Sequence, residues 1–427
     1  MNEWDSFDKI IKGKGVWLID SKGNRIMDAV ASMWCNVWGH SNPQLIKAIT
    51  EQSKKLQHSS QFNLTTEPAE RLADNLVKIS PGMHKVFYSD NGSSAMEIAI
   101  KIALQYWKNI GNKKKTEIAT IENGYHGDTF GVMSVGYVPE FFGKFKKQLF
   151  STIQFPVPNK YRMPKGFTLT DYQNQCLDRI ERRFSKQDNI AAFVMESGAQ
   201  VAGGVIIYPK GFQKKISQLC KKYNVLFVLD EIATGFGRLG SMTQYEEQKS
   251  IPDIVAYGKM LTGGYLTLAT TLANKKIYDS FLGDFNEWKH LFHGHTYTGN
   301  PIAASVANEN LKMYKENNLI KKIQKTSKVF ENFYEEISEI DIVGDIRHKG
   351  MLMGIELVKD KSKKIPISPK KSINKIFFEE GKKNGIYLRT LGNIVMLVPP
   401  LAISETELDS LLKRTVTTIK SAKSKVV

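Results

Sequence analysis

The chain has 427 residues, 41% of them hydrophobic, enough to bury one large core and a smaller second one in two closely packed domains rather than three independent ones. Its formal charge of +17 is scattered in short groups such as Lys113-Lys114-Lys115, Lys146-Lys147 and Lys382-Lys383, without a basic helix, aromatic platform or zinc-finger spacing, so a solvated lysine-rich surface is expected in preference to a nucleic-acid-binding face. No apolar stretch approaches the roughly 20 residues that cross a bilayer, Met1-Asn-Glu-Trp-Asp5 lacks the features of a signal peptide, and Cys35, Cys176 and Cys220 are too few and too far apart for a disulfide framework or zinc site; a cytoplasmic chain without a membrane role is expected.

In chain order, Gly15–Asp20 and Arg25–Asp28 flank a Ser-Lys-Gly-Asn turn and predict a hairpin. From about residue 64 to 300, apolar strands alternate with amphipathic helices. The predicted elements are strands at Lys85–Ser89, Glu117–Ile121, Ile190–Glu196, Val225–Asp230, Ile254–Tyr257 and Thr267–Leu272, with helices over Ser94–Asn109 and Phe212–Tyr223. Continuous apolar strands interleaved with helices predict an α/β fold with a mostly parallel sheet covered on both faces. Beyond Asn300-Pro301 a long helical stretch runs to about Ile340, followed by a strand at Met351–Leu357, a helix near 371–384, a strand at Ile394–Val398 and a terminal helix. The expected division is an N-terminal segment 1–63 packed with the small domain, a large domain 64–305 and a small α+β domain 306–427.

Ligands bind at the carboxyl ends of strands in open α/β sheets, so residues that end apolar runs are the first candidates. Asp90-Asn-Gly-Ser-Ser-Ala95 opens a helix and aims the N–H groups of Gly92 and Ser93 at an anion; an ordinary cap by Asn91 or Ser93 is the alternative. Asn123-Gly-Tyr-His-Gly-Asp-Thr-Phe-Gly131 places Tyr125, His126 and Asp128 in a loop where an aromatic ring can stack on a flat cofactor. No second metal ligand stands at a suitable interval from His126, so a hydrogen-bonded histidine is preferred to a metal site, and His293-Gly-His295 is a weak metal candidate.

The run Val225–Glu231 fits either the magnesium strand of an ATPase or a carboxylate that pairs with a pyridine nitrogen. No Gly-x4-Gly-Lys-Ser/Thr loop accompanies it, which favours the second. Lys259, between Ile254–Tyr257 and Met-Leu-Thr-Gly-Gly, is then the amine able to bond a cofactor aldehyde and to carry a proton.

Together Ala103–Trp107, Asn123–Gly131, Asp230–Arg238, Gly258–Gly264 and Gly294–Pro301 resemble the class III, fold-type-I pyridoxal-phosphate aminotransferases over nearly the whole chain. The segments Leu104–Trp107 and Leu261–Ala269 are similar to the branch that aminates 8-amino-7-oxononanoate in biotin synthesis, with S-adenosylmethionine as the usual amino donor. The resemblance implies a mostly parallel seven-stranded sheet, a homodimer and bound pyridoxal 5'-phosphate. It also implies roles: Lys259 as the Schiff-base lysine, Asp230 on the ring nitrogen, Tyr125 and Ile232 on the ring faces, and Gly92 and Ser93 on the phosphate, with Thr296 reaching the neighbouring subunit's phosphate. Arg389 would receive a substrate carboxylate, and Trp34, Tyr125, Asp128, Gly294 and Arg238 would lie at or near the substrate pocket. Three departures stand out: Met33 replaces the first of two tryptophans, Ser197 replaces a proline, and the family's upstream His-Pro-Tyr-Thr-type segment has no counterpart before Phe7, which implies either a more open pocket or a start placed too far downstream. A lysine donor, another ω-aminotransferase activity on ornithine, aminobutyrate or a polyamine, and a non-enzymatic nucleic-acid-binding role are the rival readings.

Overall fold

The computed structural model describes residues 7–368 and 371–426; the Met1–Asp5 opening, and with it the start of the expected 1–63 segment, lies outside the described residues. Seven strands form the central sheet in the order Lys85–Ser89, Ala269–Ala273, Ile254–Tyr257, Leu226–Asp230, Ile190–Glu196, Glu117–Ile121 and Ile153–Phe155. Strands Ile190–Glu196 and Leu226–Asp230 are buried along their whole length, as continuous apolar runs require when both faces are covered. Successive residues go to opposite sides. Ala192, Val194 and Val228 pack with Ile98, Ala99 and Ile102 of helix Gly92–Asn109. Phe193, Met195, Phe227 and Leu229 join the core of Ile180, Phe184 and Ile216, from helices Leu169–Lys186 and Phe212–Lys222.

From Ile254–Tyr257 across to Ile153–Phe155 the neighbouring strands are parallel, whereas Ala269–Ala273 runs antiparallel to both of its neighbours. The carboxyl ends of Leu226–Asp230, Ile190–Glu196 and Glu117–Ile121 therefore open on one edge of the sheet, with the amino end of helix Gly92–Asn109 beside them.

The expected long helix after Pro301 is broken. Asn300 caps Pro301–Glu316 by accepting from the N–H groups of Ile302 and Ala303 at 3.0 and 3.1 Å, and the helix stops before Asn318, whose φ of +51° asparagine tolerates better than most residues. Shorter segments Leu319–Thr326, Ser327–Phe333 and Tyr334–Glu339 follow. The C-terminal region builds a second sheet from Val343–Lys349, Leu352–Asp360, Ile394–Leu397 and Arg389–Leu391, with Ile365–Pro366 pairing Leu352–Asp360. Helices Ile373–Lys383 and Glu405–Val426 pack with it through Phe377, Leu408 and Leu412.

At the other end of the chain the predicted hairpin gains a third strand, Ile10–Lys14. Arg25–Asp28 pairs in parallel with Ile386–Tyr387, so the first and last parts of the chain share one sheet. Among the described residues no helix is long and apolar enough to cross a membrane.

Candidate active site

A cavity of about 580 Å³ opens at that strand edge, and its wall includes Trp34, Gly92, Ser93, Tyr125, Asp230, Ile232 and Lys259. Asp230 is the last residue of its strand, buried, with Oδ1 accepting from the Ile232 N–H at 2.9 Å and Oδ2 lying 2.8 Å from His126 Nδ1. His126 is thus hydrogen-bonded as its loop suggested, and its partner is the carboxylate at the centre of the site. A ring nitrogen that donates to a carboxylate fixes that carboxylate's orientation, which is what a strand-end acid facing a ligand needs.

Lys259 follows Gly258 into a short turn with φ of +42°, a left-handed conformation that an L side chain adopts at a cost. Its ammonium lies 5.5 Å from the centre of the Trp34 ring. Burial lowers its proton affinity, opposed by Asp230 and Glu196, so more of it exists as free amine than for a solvated lysine. The small residues that follow have a steric reason. A Cβ on Gly264 would stand 3.1 Å from the backbone of Asn36, so the Lys259 turn and the Trp34 turn approach to a distance that admits only glycine.

Gly92 and Ser93 begin the helix, with Asn91 as its cap accepting from Ser94 N–H at 3.0 Å. The cap and the anion reading coexist, because Asn91 satisfies the third N–H and leaves those of Gly92 and Ser93 without a partner among the described residues. A side chain on Gly92 would meet Ile232 at 3.0 Å, and one on Gly127 would collide with Ser93 Oγ. Tyr125 is half-buried and stacks on Phe142 with ring centres 6.2 Å apart. Its hydroxyl is held above the usual phenol range, first by burial and then by Asp128, which hydrogen-bonds it from an exposed position outside the cavity wall.

The Trp34 turn rests on Asp28. This buried carboxylate accepts from the N–H groups of Val30 and Ser32 at 3.1 and 2.7 Å, and supports left-handed backbone at Ala31, Ser32 and Trp34. Met33, Trp34 and Cys35 enter the cavity wall from it. Met33 is 52% exposed, and its sulfur accepts from Arg389 Nη1. Arg389 therefore stands beside the cavity, half-buried, and touches it through Met33.

Three expected positions lie elsewhere. Arg238 is fully buried away from the cavity, where Nη1 donates to the carbonyls of Met351 and Pro399 at 2.9 and 2.7 Å. Burial lowers its pKa to about 10, and the side chain ties the Asp230–Arg238 segment to the C-terminal sheet. Gly294 and Thr296 are exposed and outside the wall of this chain's cavity, the Thr296 carbonyl accepting from His58 Nε2 at 2.8 Å. His293 and His295 face each other Nε2 to Nε2 at 3.1 Å, with Lys101 on the other nitrogen of His293; among the described residues no cluster of three or more metal-ligating side chains occurs.

Glu196 is the residue that sequence reasoning passed over. It ends its strand level with Asp230, its register partner, and lines the cavity. The criterion that selected Asp230, a carboxylate closing an apolar run, would have selected it too. The Ser197 departure is also accommodated, since its hydroxyl accepts from Gln213 Nε2 at 2.9 Å while Gln213 Oε1 accepts from the Gly198 N–H.

The profile of the family described as aminotransferase class-III matches residues 3–419 of the chain. The adenosylmethionine-8-amino-7-oxononanoate aminotransferase of Geobacter sulfurreducens is 40% identical over 417 residues, 96% of this chain and 92% of that protein. A crystal structure of the same-named enzyme from Methanocaldococcus jannaschii superposes with a TM-score of 0.91 at 40% identity, covering 98% of this chain and 94% of that one. The ω-transaminase of Pseudomonas jessenii, solved in complex with PMP, superposes at 0.93 with 28% identity over 98% of this chain and 94% of its own.

Proposed function

The chain belongs to the class III aminotransferases, which depend on pyridoxal phosphate, and from that membership we propose that it aminates 8-amino-7-oxononanoate to 7,8-diaminononanoate with S-adenosylmethionine as donor. The observation that carries the reading is the meeting of Asp230, Lys259 and the paired N–H groups of Gly92 and Ser93 around one cavity, beneath a wall that ends in Met33 and Arg389.

The residues present fit the cofactor. Asp230, held by His126, would hold a ring nitrogen, Gly92 and Ser93 offer N–H groups without a partner among the described residues for a phosphate, and Ile232 and Tyr125 would supply apolar faces. When bound, pyridoxal phosphate supplies an aldehyde that captures amines covalently and a ring that draws electrons from the adjacent carbon. Lys259 Nζ holds and moves the proton at that carbon, a task its lowered proton affinity suits. Arg389 takes the acid end of the substrate, for which a planar two-pronged cation is well matched. Trp34 gives the intervening aliphatic chain an apolar wall.

The same reading includes the division into a large domain over 64–305 with flanking small-domain segments, and a homodimer. Gly294 and Thr296 stand on a surface with Phe62, Phe292 and Tyr297, which are 75%, 69% and 60% exposed, an apolar patch that a second copy would cover while receiving Thr296 at its own cofactor phosphate.

The test is turnover of purified protein with 8-amino-7-oxononanoate, offering S-adenosylmethionine or lysine as donor. Product with S-adenosylmethionine supports the proposal, product with lysine alone changes the donor, and activity confined to 2-oxoglutarate as acceptor overturns it.

A further inference from the structure

Two carboxyl groups close adjacent parallel strands at one level of the cavity, Glu196 and Asp230. Asp230 has His126 as its partner; no ion pair engages Glu196 among the described residues. Glu196 instead spends both oxygens on main-chain donors from two different segments. Oε1 accepts from the Tyr125 N–H at 3.2 Å and Oε2 from the Val201 N–H at 2.9 Å. Tyr125 and Ala202, the neighbour of Val201, both line the cavity, so one carboxyl group determines where two parts of the wall stand.

The groups acting on Glu196 come from every surrounding element. His126 and Tyr125 face it from the loop after Glu117–Ile121, Asp230 from its own strand end, Tyr208 from the segment after Ile206–Ile207, and Lys259 from the turn beyond Ile254–Tyr257. Tyr208 is buried, and its hydroxyl has no hydrogen-bond partner among the described residues. The Glu196 carboxyl, 3% exposed, is pushed up to about 7, first by burial, with His126 opposing and Asp230 adding to the rise. Like charges on neighbouring buried strand ends oppose each other; His126 pairs with Asp230, and Lys259 is the cation that faces both carboxyl groups.

Resting on the cofactor assignment above, we propose that Glu196 is a positioning residue which clamps the Tyr125 and Val201 segments against the cavity. While Glu196 is neutral, negative charge at this edge of the sheet is left to Asp230, the group proposed to hold the ring nitrogen. As Glu196 ionises, the clamp keeps its acceptors and a second charge develops beside the first, so the site's hold on the cofactor changes with pH through a residue that does not touch the reacting atoms.

The experiment compares holoenzyme of wild type, Glu196→Gln and Glu196→Ala for cofactor retention between about pH 6 and 9. Released cofactor is separated by gel filtration and read by absorbance, with circular dichroism verifying the fold. Wild type is expected to change its retention several-fold as pH rises through neutrality. Glu196→Gln, neutral at every pH and able to keep one of the two N–H bonds, is expected to retain cofactor with a flattened profile. Glu196→Ala is expected to bind about tenfold more weakly throughout, from the loss of one hydrogen-bonded clamp. A Glu196→Gln profile with the wild-type slope, or a Glu196→Ala protein that retains cofactor like wild type, overturns the inference. A wild type that takes up no cofactor at all overturns the assignment beneath it, so the two failures are distinguishable.

Discussion

Arg389 donates through Nη1 to the thioether sulfur of Met33 at 2.7 Å, so the cation proposed to receive a substrate acid rests on a weak, neutral acceptor. A carboxylate is a much stronger partner for a guanidinium than a thioether and displaces it at little cost. Truncating Arg389→Ala is expected to raise KM for 8-amino-7-oxononanoate about 10- to 100-fold, the equivalent of a charged hydrogen bond at ~1.5–3 kcal/mol. Met33→Leu keeps the volume, removes the acceptor and should leave KM unchanged or lower it. Steady-state kinetics on both variants checks the pair, and an unchanged KM in Arg389→Ala removes the arginine from the acid site.

Lys259 is expected to be indispensable for turnover. Lys259→Ala should retain the fold and lose at least about a thousandfold in kcat, since both amine capture and proton movement need its nitrogen. Borohydride treatment of wild-type holoenzyme followed by peptide mass spectrometry should find the cofactor mass on the peptide containing Lys259. Label on any other lysine would refute the assignment.

Arg238 is expected to carry structure rather than substrate. Arg238→Ala leaves the Met351 and Pro399 carbonyls without their shared donor and opens a cavity, a loss of about 2–5 kcal/mol by the usual range for such sites. Urea unfolding measures that loss, while KM for the acid substrate should stay near the wild-type value. A selective rise in KM with unchanged stability would return Arg238 to the substrate pocket.

Stability should fall as pH rises from about 4.5 to about 7. Burial raises both Glu196 and Glu231 from 4.5 to about 7, so between those values the folded chain binds more protons than the unfolded one. Their contribution is complete below the unfolded value, is lost as pH passes the folded value, and is constant above it. Thermal denaturation across this window is the measurement. In Glu231→Gln the slope should be shallower and the overall stability lower, because Glu231 also accepts from the N–H groups of Gln244 and Tyr245.

Much of this arrangement was legible in the chain. The apolar runs ending in Asp230 and leading into Lys259 located the sheet edge, because burial on both faces writes itself as uninterrupted hydrophobicity. What periodicity does not encode is direction: within the mostly parallel sheet, Ala269–Ala273 is antiparallel to both neighbours, yet its apolar run reads like those of the parallel strands. It does not encode side-chain destination either. Arg238 sits in a motif shared with site residues, yet its guanidinium turns to the C-terminal sheet, and only the packing reveals that. Ile10–Lys14 is mostly exposed and gave no alternation, while Asn317-Asn318 ends a helix that hydrophobicity alone would continue.

The pairing of Arg25–Asp28 with Ile386–Tyr387 has a consequence for how the protein is made. Met33 and Trp34 follow closely on the first of these strands and Arg389 on the second, so the wall proposed to take the substrate's acid end is assembled from segments at opposite ends of the chain. Closing so long a loop is slow and comes late in folding. On the ribosome, the central sheet with Asp230 and Lys259 can form while the partner of Arg25–Asp28 is still unsynthesised. A nascent chain stalled before Ile386 would therefore already hold the edge proposed to bind the cofactor and lack the wall proposed to select the substrate.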